Sequence, residues 1–359
     1  MNLAALRRLA VARNFGKPAD LESVIRRMGY VQADPIRAPA RAQDLILRQR
    51  VRGYRIDDLE RSYPQLPVVE DMLHNYGFFP REHHALLYPR TLSQRWCEFV
   101  EQHQPLRRKL LRYLDEVGEA HPRDVERLLG AGGRVNGWGG TSSATTLMLE
   151  ALHREGRAEV CRRDGGIRVY RQAPPRGRAL PPAQRADGLL RLVVSLYAPL
   201  TLRSLMRLLS MMGCYKPEAD YGQRIELMRR RGKLRHEQVD GRDYVWPSEE
   251  KLPARVESRV RLLAPFDPLV WDRDRFEQFW GWAYRFEAYT PPARRRMGYY
   301  ALPVLWRDDI VGWANVSVAD GQVRADLGYA PGKQPGRDTG YDLALATELQ
   351  SLRRFLAIG

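Results

Sequence analysis

Cysteine is scarce in this chain of 359 residues: Cys97, Cys161 and Cys214 stand far apart, with no CxxC pair among them. Scattered thiols build neither a disulfide framework nor a thiolate metal cage, so a reducing, cytoplasmic setting is expected. Long apolar runs are missing too. No stretch of about 18 apolar residues occurs, and MNLAALRRLAVARNFG carries arginines inside its apolar stretch rather than ahead of it, unlike a secretory signal. No membrane partner is therefore expected. The histidines form no HExxH and no Cys/His ligand spacing, and His83-His84 reads as a surface pair, so no metal site is expected. Phosphate loops of the GxxxxGK[ST] or GxGxxG kind, and a GxSxG nucleophile elbow, are also absent. The last shortage is of acidic residues: 43 Asp and Glu face 59 Lys and Arg, a net charge of +16. That excess runs along the whole chain, which implies a folded basic surface. Nucleic acid is the leading anionic partner, because Lys and Arg contacts to phosphate release condensed counterions. A solvated, arginine-rich surface is the plain alternative.

What is present includes an internal repeat. LEALHREGRAEVCRRDGGIRVYR (149–171) and IELMRRRGKLRHEQVDGRDYVWP (225–247) superpose at constant offset, pairing Glu150 with Glu226, Gly156 with Gly232, Asp164 with Asp240 and Tyr170 with Trp246. Each copy reads as a helix stopped by glycine, a strand, an Asp-Gly turn and a second strand carrying an aromatic residue. Helical patterns precede both copies: LRRKLLRYLDEVG and HPRDVERLLG before the first, ADGLLRLVVSLYAP and LTLRSLMRLLSMMG before the second. Three helices and a hairpin make a winged helix-turn-helix. LAALRRLAVARN and DLESVIRRMG, followed by the strand-like YVQAD, fit a divergent third copy. From about residue 255 the pattern turns strand-like, with WRDDI as a hairpin turn, and TGYDLALATELQSLRRFLA closes as a helix. APPRGRALPPAQRA (173–186) is the clearest linker. The expected fold is α+β: winged helices at 1–100, 101–172 and 187–250, then a β-rich domain at 255–359. At least one of the helices before Gly156 and Gly232 is expected to be a strut, since LMLEALHREG offers few base-reading side chains.

The stretch GYVQADPIRAPARAQDLILRQR (29–50) holds Gln32 and Asp34 two positions apart. On a strand these side chains project from one face at roughly 6–7 Å, with Val31 and Ala33 turned the other way. An equally local reading makes Asp34 a helix N-cap followed by Pro35 at the first helical position, with Gln32 merely solvated.

Larger blocks bear on the choice. GYVQADPI, RAQDLILRQR, PFDPLVWDRDR, YTPPARRR and GYYALPVLW, in this order, resemble the winged-helix DNA glycosylases of the AlkZ/YcaQ type, bacterial enzymes that unhook interstrand crosslinks. The resemblance covers most of the chain. It implies three tandem winged helices with a β-rich module, and a catalytic Gln-apolar-Gln or Gln-apolar-Asp motif, which Gln32, Ala33 and Asp34 match in the Asp form. Arg41 and Arg50 fall where the family's arginines are expected, and LHNYGFFP keeps its His74. Three departures stand out: Gln43 where the family usually carries histidine, Asn75 where an acidic residue is common, and a small Ala33 in the middle of the motif.

What the resemblance implies is a monofunctional glycosylase, acting as a monomer on double-stranded DNA that carries alkylated or crosslinked guanine. No metal and no organic cofactor is required. Guanine alkylated at N7 is cationic and leaves without a general acid, so one carboxylate suffices: Asp34 would stabilise the oxocarbenium-like sugar and activate water, and Gln32 would position that water or the sugar. A base tied to both strands cannot flip freely, so an open cleft is expected. Arg37, Arg41 and the run Arg294, Arg295, Arg296 are expected to face DNA, with Arg50 and His74 as further contacts. The competing reading is a winged-helix regulator that binds DNA without chemistry.

Overall fold

The computed structural model describes residues 1–130, 133–135, 141–212, 220–319 and 321–357, so Cys214 lies outside the described residues. The chain packs as two compact units, the first made of residues 1–59, 187–211 and 220–359, the second of 60–186 and 212–219. The architecture is mixed α and β with antiparallel sheets. No described helix is long and apolar enough to cross a membrane.

In the second unit, helices Gln104–Val117, Pro122–Leu129 and Ala144–Glu155 precede the hairpin Ala158–Asp164 and Ile167–Gln172. The short strand Glu119–Ala120 pairs with the outgoing hairpin strand, giving a three-stranded sheet. Leu110, Leu114, Val125, Met148, Leu152 and Tyr170 close its core. The plan recurs with helices Pro182–Tyr197, Leu202–Met211 and Tyr221–Arg230 and the hairpin Leu234–Val239 and Arg242–Pro247, whose outgoing strand pairs with Leu200–Thr201. The linker expected at 173–186 is thus shorter, because helix begins at Pro182.

The two hairpins differ by one residue. In the later copy Val239 pairs with Arg242 across Asp240-Gly241, whereas in the earlier one Asp164 pairs with Ile167 across Gly165-Gly166. A bulge between Val160 and Arg162 absorbs the extra residue. Aligning Asp164 with Asp240 therefore matches the sequences but not the turns. In helix Ala144–Glu155, the one expected to be a strut, His153 is buried and Glu150 is paired with Arg168 at 3.0 Å.

The C-terminal part of the first unit is a four-stranded meander, Val260–Leu262, Leu302–Trp306, Asp309–Ala319 and Gln322–Tyr329. Trp306 pairs with Asp309, so the turn is Arg307-Asp308, within WRDDI. Helix Thr339–Phe355 covers this sheet, and its buried Glu348 accepts the Leu262 amide at 3.1 Å and the Gln49 side chain at 2.6 Å.

Candidate active site

The site begins where a helix is made to stop. Asp20 caps helix Leu21–Met28 by accepting the Ser23 amide at 2.9 Å, and Gly29, at φ 77°, ends it in the left-handed conformation that glycine tolerates best. Tyr30 and Val31 are buried, and the strand covers only Val31–Gln32. Pro35 supplies no N–H and disfavours helical backbone at Asp34, so residues 33–41 stay irregular until helix Ala42–Leu47. The N-cap reading of Asp34 therefore fails, since no helix starts at Pro35. Strand pairing ends at Gln32, so the regular ladder does not reach Asp34.

Asp34 is held instead by two local bonds. Its Oδ1 accepts the Ile36 amide at 2.9 Å, an Asx turn, and its own amide donates to Oε1 of Gln43 at 3.1 Å. Gln43 is buried and Gln32 is 7% exposed, whereas Asp34 is half-buried. Burial raises the Asp34 carboxyl above its ordinary value, and the Ile36 amide offsets only part of this. No described cation forms an ion pair with Asp34. Its charge acts on Tyr289 and Tyr300, raising both phenols further above the level set by burial. The carboxylate is thus electrostatically coupled to two tyrosines of the 289–300 segment.

That segment carries the arginine run. A single turn of helix, Pro292–Arg294, leads into Arg295 and Arg296. The buried Glu287 carboxylate accepts the amides of Arg296 at 2.8 Å, Met297 at 2.7 Å and Gly298 at 3.4 Å. Asn315 donates to the Met297 carbonyl at 2.6 Å. Gly298 is required here: at φ 119°, a Cβ would lie 2.1 Å from Oδ1 of Asn315. Arg285, Arg294 and Arg296 are exposed and form no ion pair among the described residues. Together with Arg273, Arg295 and Thr290 they line a cavity of about 920 Å³.

The other expected DNA contacts divide. Arg37 is exposed, 3.7 Å from Asp57. Arg41 is only 5% exposed and is committed to Asp57 and, at 3.6 Å, to Asp44. Burial pushes Asp44 up to about 6, although Tyr54 donates to it at 2.8 Å. Arg50 is a structural residue in this fold: its buried guanidinium makes bonds of 2.8 and 3.0 Å to Asp267, and donates to the carbonyls of Ile46 and Asn14. A guanidinium with no exposed surface meets no phosphate. His74 belongs to the second unit, in the turn between strands Val68–Met72 and Tyr76–Pro80, and burial lowers its pKa to about 3. Neutral at pH 7, it offers no charge to DNA.

Two contacts escape sequence reading: the bond from the Asp34 amide to Gln43, and the hold of Glu287 on the amides of Arg296, Met297 and Gly298. Only the family histidine expected at position 43 hints at the first. Replacing Gln43 by alanine leaves the Asp34 amide without its acceptor, a loss of roughly 1–3 kcal/mol in the order of this loop. Excision is expected to fall about tenfold, with recovery in Gln43→His, whose ring nitrogen also accepts; single-turnover rates decide it.

A family model described as DNA glycosylase AlkZ-like matches residues 25–355. Among solved structures, the DNA glycosylase AlkZ of Streptomyces sahachiroi aligns with a TM-score of 0.66 at 15% identity, covering 100% of this chain and 97% of that one. At that identity the likeness speaks for the fold. The family match does more, running from the helix before Gln32 to the end of the last helix, and the chain therefore belongs to the AlkZ-like family of DNA glycosylases.

Proposed function

We propose that this DNA glycosylase hydrolyses the N-glycosidic bond of N7-alkylated guanine, including guanine in interstrand crosslinks, and leaves an abasic site. One observation carries the reading: a half-buried carboxylate, Asp34, with no described ion-pair partner, fixed by an Asx turn and a buried glutamine beside an unneutralised arginine loop. The buried carboxylates Asp44, Glu70, Asp71, Asp267 and Glu348 each have an arginine partner. One left without a counter-ion is available to a cation that arrives with the substrate.

The steps follow from charge. In N7-alkylguanine the positive base draws the glycosidic electrons toward N9, and positive charge passes to the sugar. Asp34 stabilises that charge in a partly dehydrated setting, where Coulomb attraction is stronger than in water. Water attacks C1′, its proton passes to Asp34, and the base departs neutral. Gln32 orients the water or the sugar by hydrogen bonding. The two helix-and-wing units, with the N-terminal segment as a third, are read as winged helices on double-stranded DNA, bound by a monomeric enzyme.

Duplexes containing N7-methylguanine or a guanine crosslink should acquire alkali-labile sites on incubation with the protein. Their absence, together with binding that strongly favours one sequence, would instead mark a regulator. DNA contact is assigned to Arg37, Arg294 and Arg296. Replacing all three by alanine should weaken binding to any duplex and reduce the slope of log K against log salt by about 2–3. An unchanged slope removes these residues from the interface.

A further inference from the structure

Tyr289 is 72% exposed, and a single exposed aromatic is ordinary on a protein surface. Its support and its neighbour are not ordinary. The Tyr289 ring meets Phe286 edge to face at 6.1 Å, and Phe286 packs in the same way on Tyr300 at 5.4 Å and on Phe266 at 5.0 Å. This aromatic pedestal supports one edge of the ring and leaves most of it exposed. Tyr299, 44% exposed, stands close enough to influence the Tyr289 phenol, as does the carboxylate of Asp34. The guanidinium of Arg295 lies 5.0 Å from the Tyr299 ring, and Arg295 is itself tied to the Thr290 carbonyl at 2.8 Å.

Resting on the function proposed above, we infer that Tyr289 is a substrate-recognition residue whose ring stacks on the target base beside Asp34 and selects cationic purines over neutral ones. Two features favour a cation here. A tyrosine face carries negative quadrupole density, and a positive planar group gains from it beyond ordinary stacking. The Asp34 carboxylate, whose charge already acts on the Tyr289 phenol, adds Coulomb attraction. A neutral base brought onto the ring would collect only the stacking, and an unmodified duplex keeps its bases paired and off it. The ring, not the hydroxyl, makes the contact, and Tyr299, partly occupied by Arg295, serves as the flank of the platform.

The test uses the full chain with Tyr289→Ala, Tyr289→Phe and Tyr289→Trp. On N7-methylguanine duplex, the alanine variant should excise about tenfold more slowly, the scale of one lost base–aromatic contact. The phenylalanine and tryptophan variants should stay within about threefold of wild type. Affinity for unmodified duplex should not change in any of them. A binding comparison isolates the charge: a non-cleavable 2′-fluoro N7-methylguanine duplex against a duplex with neutral 7-methyl-7-deazaguanine. Wild type should prefer the cationic duplex, and Tyr289→Ala should lose most of that preference. An alanine variant with wild-type excision and preference overturns the inference, as does a phenylalanine variant as impaired as the alanine one. Equal loss of affinity for unmodified DNA also overturns it, because the residue then grips the duplex rather than the base. A wild-type protein that leaves N7-methylguanine in place overturns the underlying function and the platform with it, so the two failures are distinguishable.

Discussion

Asp34→Ser is expected to fold, to bind duplex DNA and to excise N7-alkylguanine at least about a hundredfold more slowly than wild type, the usual scale for losing one positioned general base or electrostatic group. Serine separates structure from chemistry at this position. The structural task of Asp34 is to accept the Ile36 amide at 2.9 Å, and a serine hydroxyl can accept in the same kind of turn. The Gln43 bond involves the Asp34 backbone amide and survives any side-chain change. What serine lacks is charge and basicity. Gln32→Ala should lose activity by a smaller factor, because it removes orientation and leaves the carboxylate. Serine at wild-type rate, with binding intact, would remove Asp34 from the chemistry.

Acidity offers a second reading of the same carboxylate. Burial raises its pKa above the ordinary 3.8, so excision should fall with acidification around a midpoint above that value. For folding the sign is opposite to that of a salt-bridged aspartate. The folded state binds the proton more tightly than the unfolded chain, so the cost of ionising Asp34 is absent below the unfolded pKa and complete above the folded one. Asp34→Ser should therefore melt no lower than wild type at pH 7. A pH profile of single-turnover rates, beside thermal melts at the same pH values, reads both effects.

Arg50→Ala is expected to destabilise the first unit by about 3–5 kcal/mol, the cost of leaving one member of a buried ion pair without its partner. Asp267 is fully buried, and besides its two bonds to Arg50 it accepts the Leu269 amide at 3.1 Å as the cap of the short helix Pro268–Trp271. Alanine strands that carboxylate and opens space beside Phe15, whose ring centroid lies 4.5 Å from the guanidinium. Melting temperature should drop by on the order of 10 °C. Replacing both partners, Arg50→Met with Asp267→Leu, should recover much of the loss, since two apolar groups leave no buried charge unpaired. An Arg50→Ala protein that melts like wild type but loses DNA affinity would return this arginine to the interface.

How much of this was legible in the sequence differs from element to element. The repeat, the WRDDI turn and the closing helix are visible because glycine stops, two-residue turns and helical periodicity are local signals, and they correspond to Gly156, Arg307-Asp308 and Thr339–Phe355. The single-residue difference between the hairpins was not visible, because the bulge after Val160 is a register choice made between strands. The family was legible from ordered blocks such as QAD and YTPPARRR, and the chain belongs to it.

The sequence by itself determined the positive charge balance, the helix-and-hairpin units and the placement of Gln32 and Asp34 just before a proline, since composition, periodicity and proline sterics act within a few residues. Tertiary structure alone decided what each charged group does. Arg37 and Arg50 both follow the same motif in one short stretch of chain, yet one is exposed and the other is enclosed by Asp267, more than two hundred residues away. Burial and ion pairing are set by contacts distant in sequence. The same holds for Asp34, whose partner Gln43 and neighbour Tyr289 reach it only once the chain has folded.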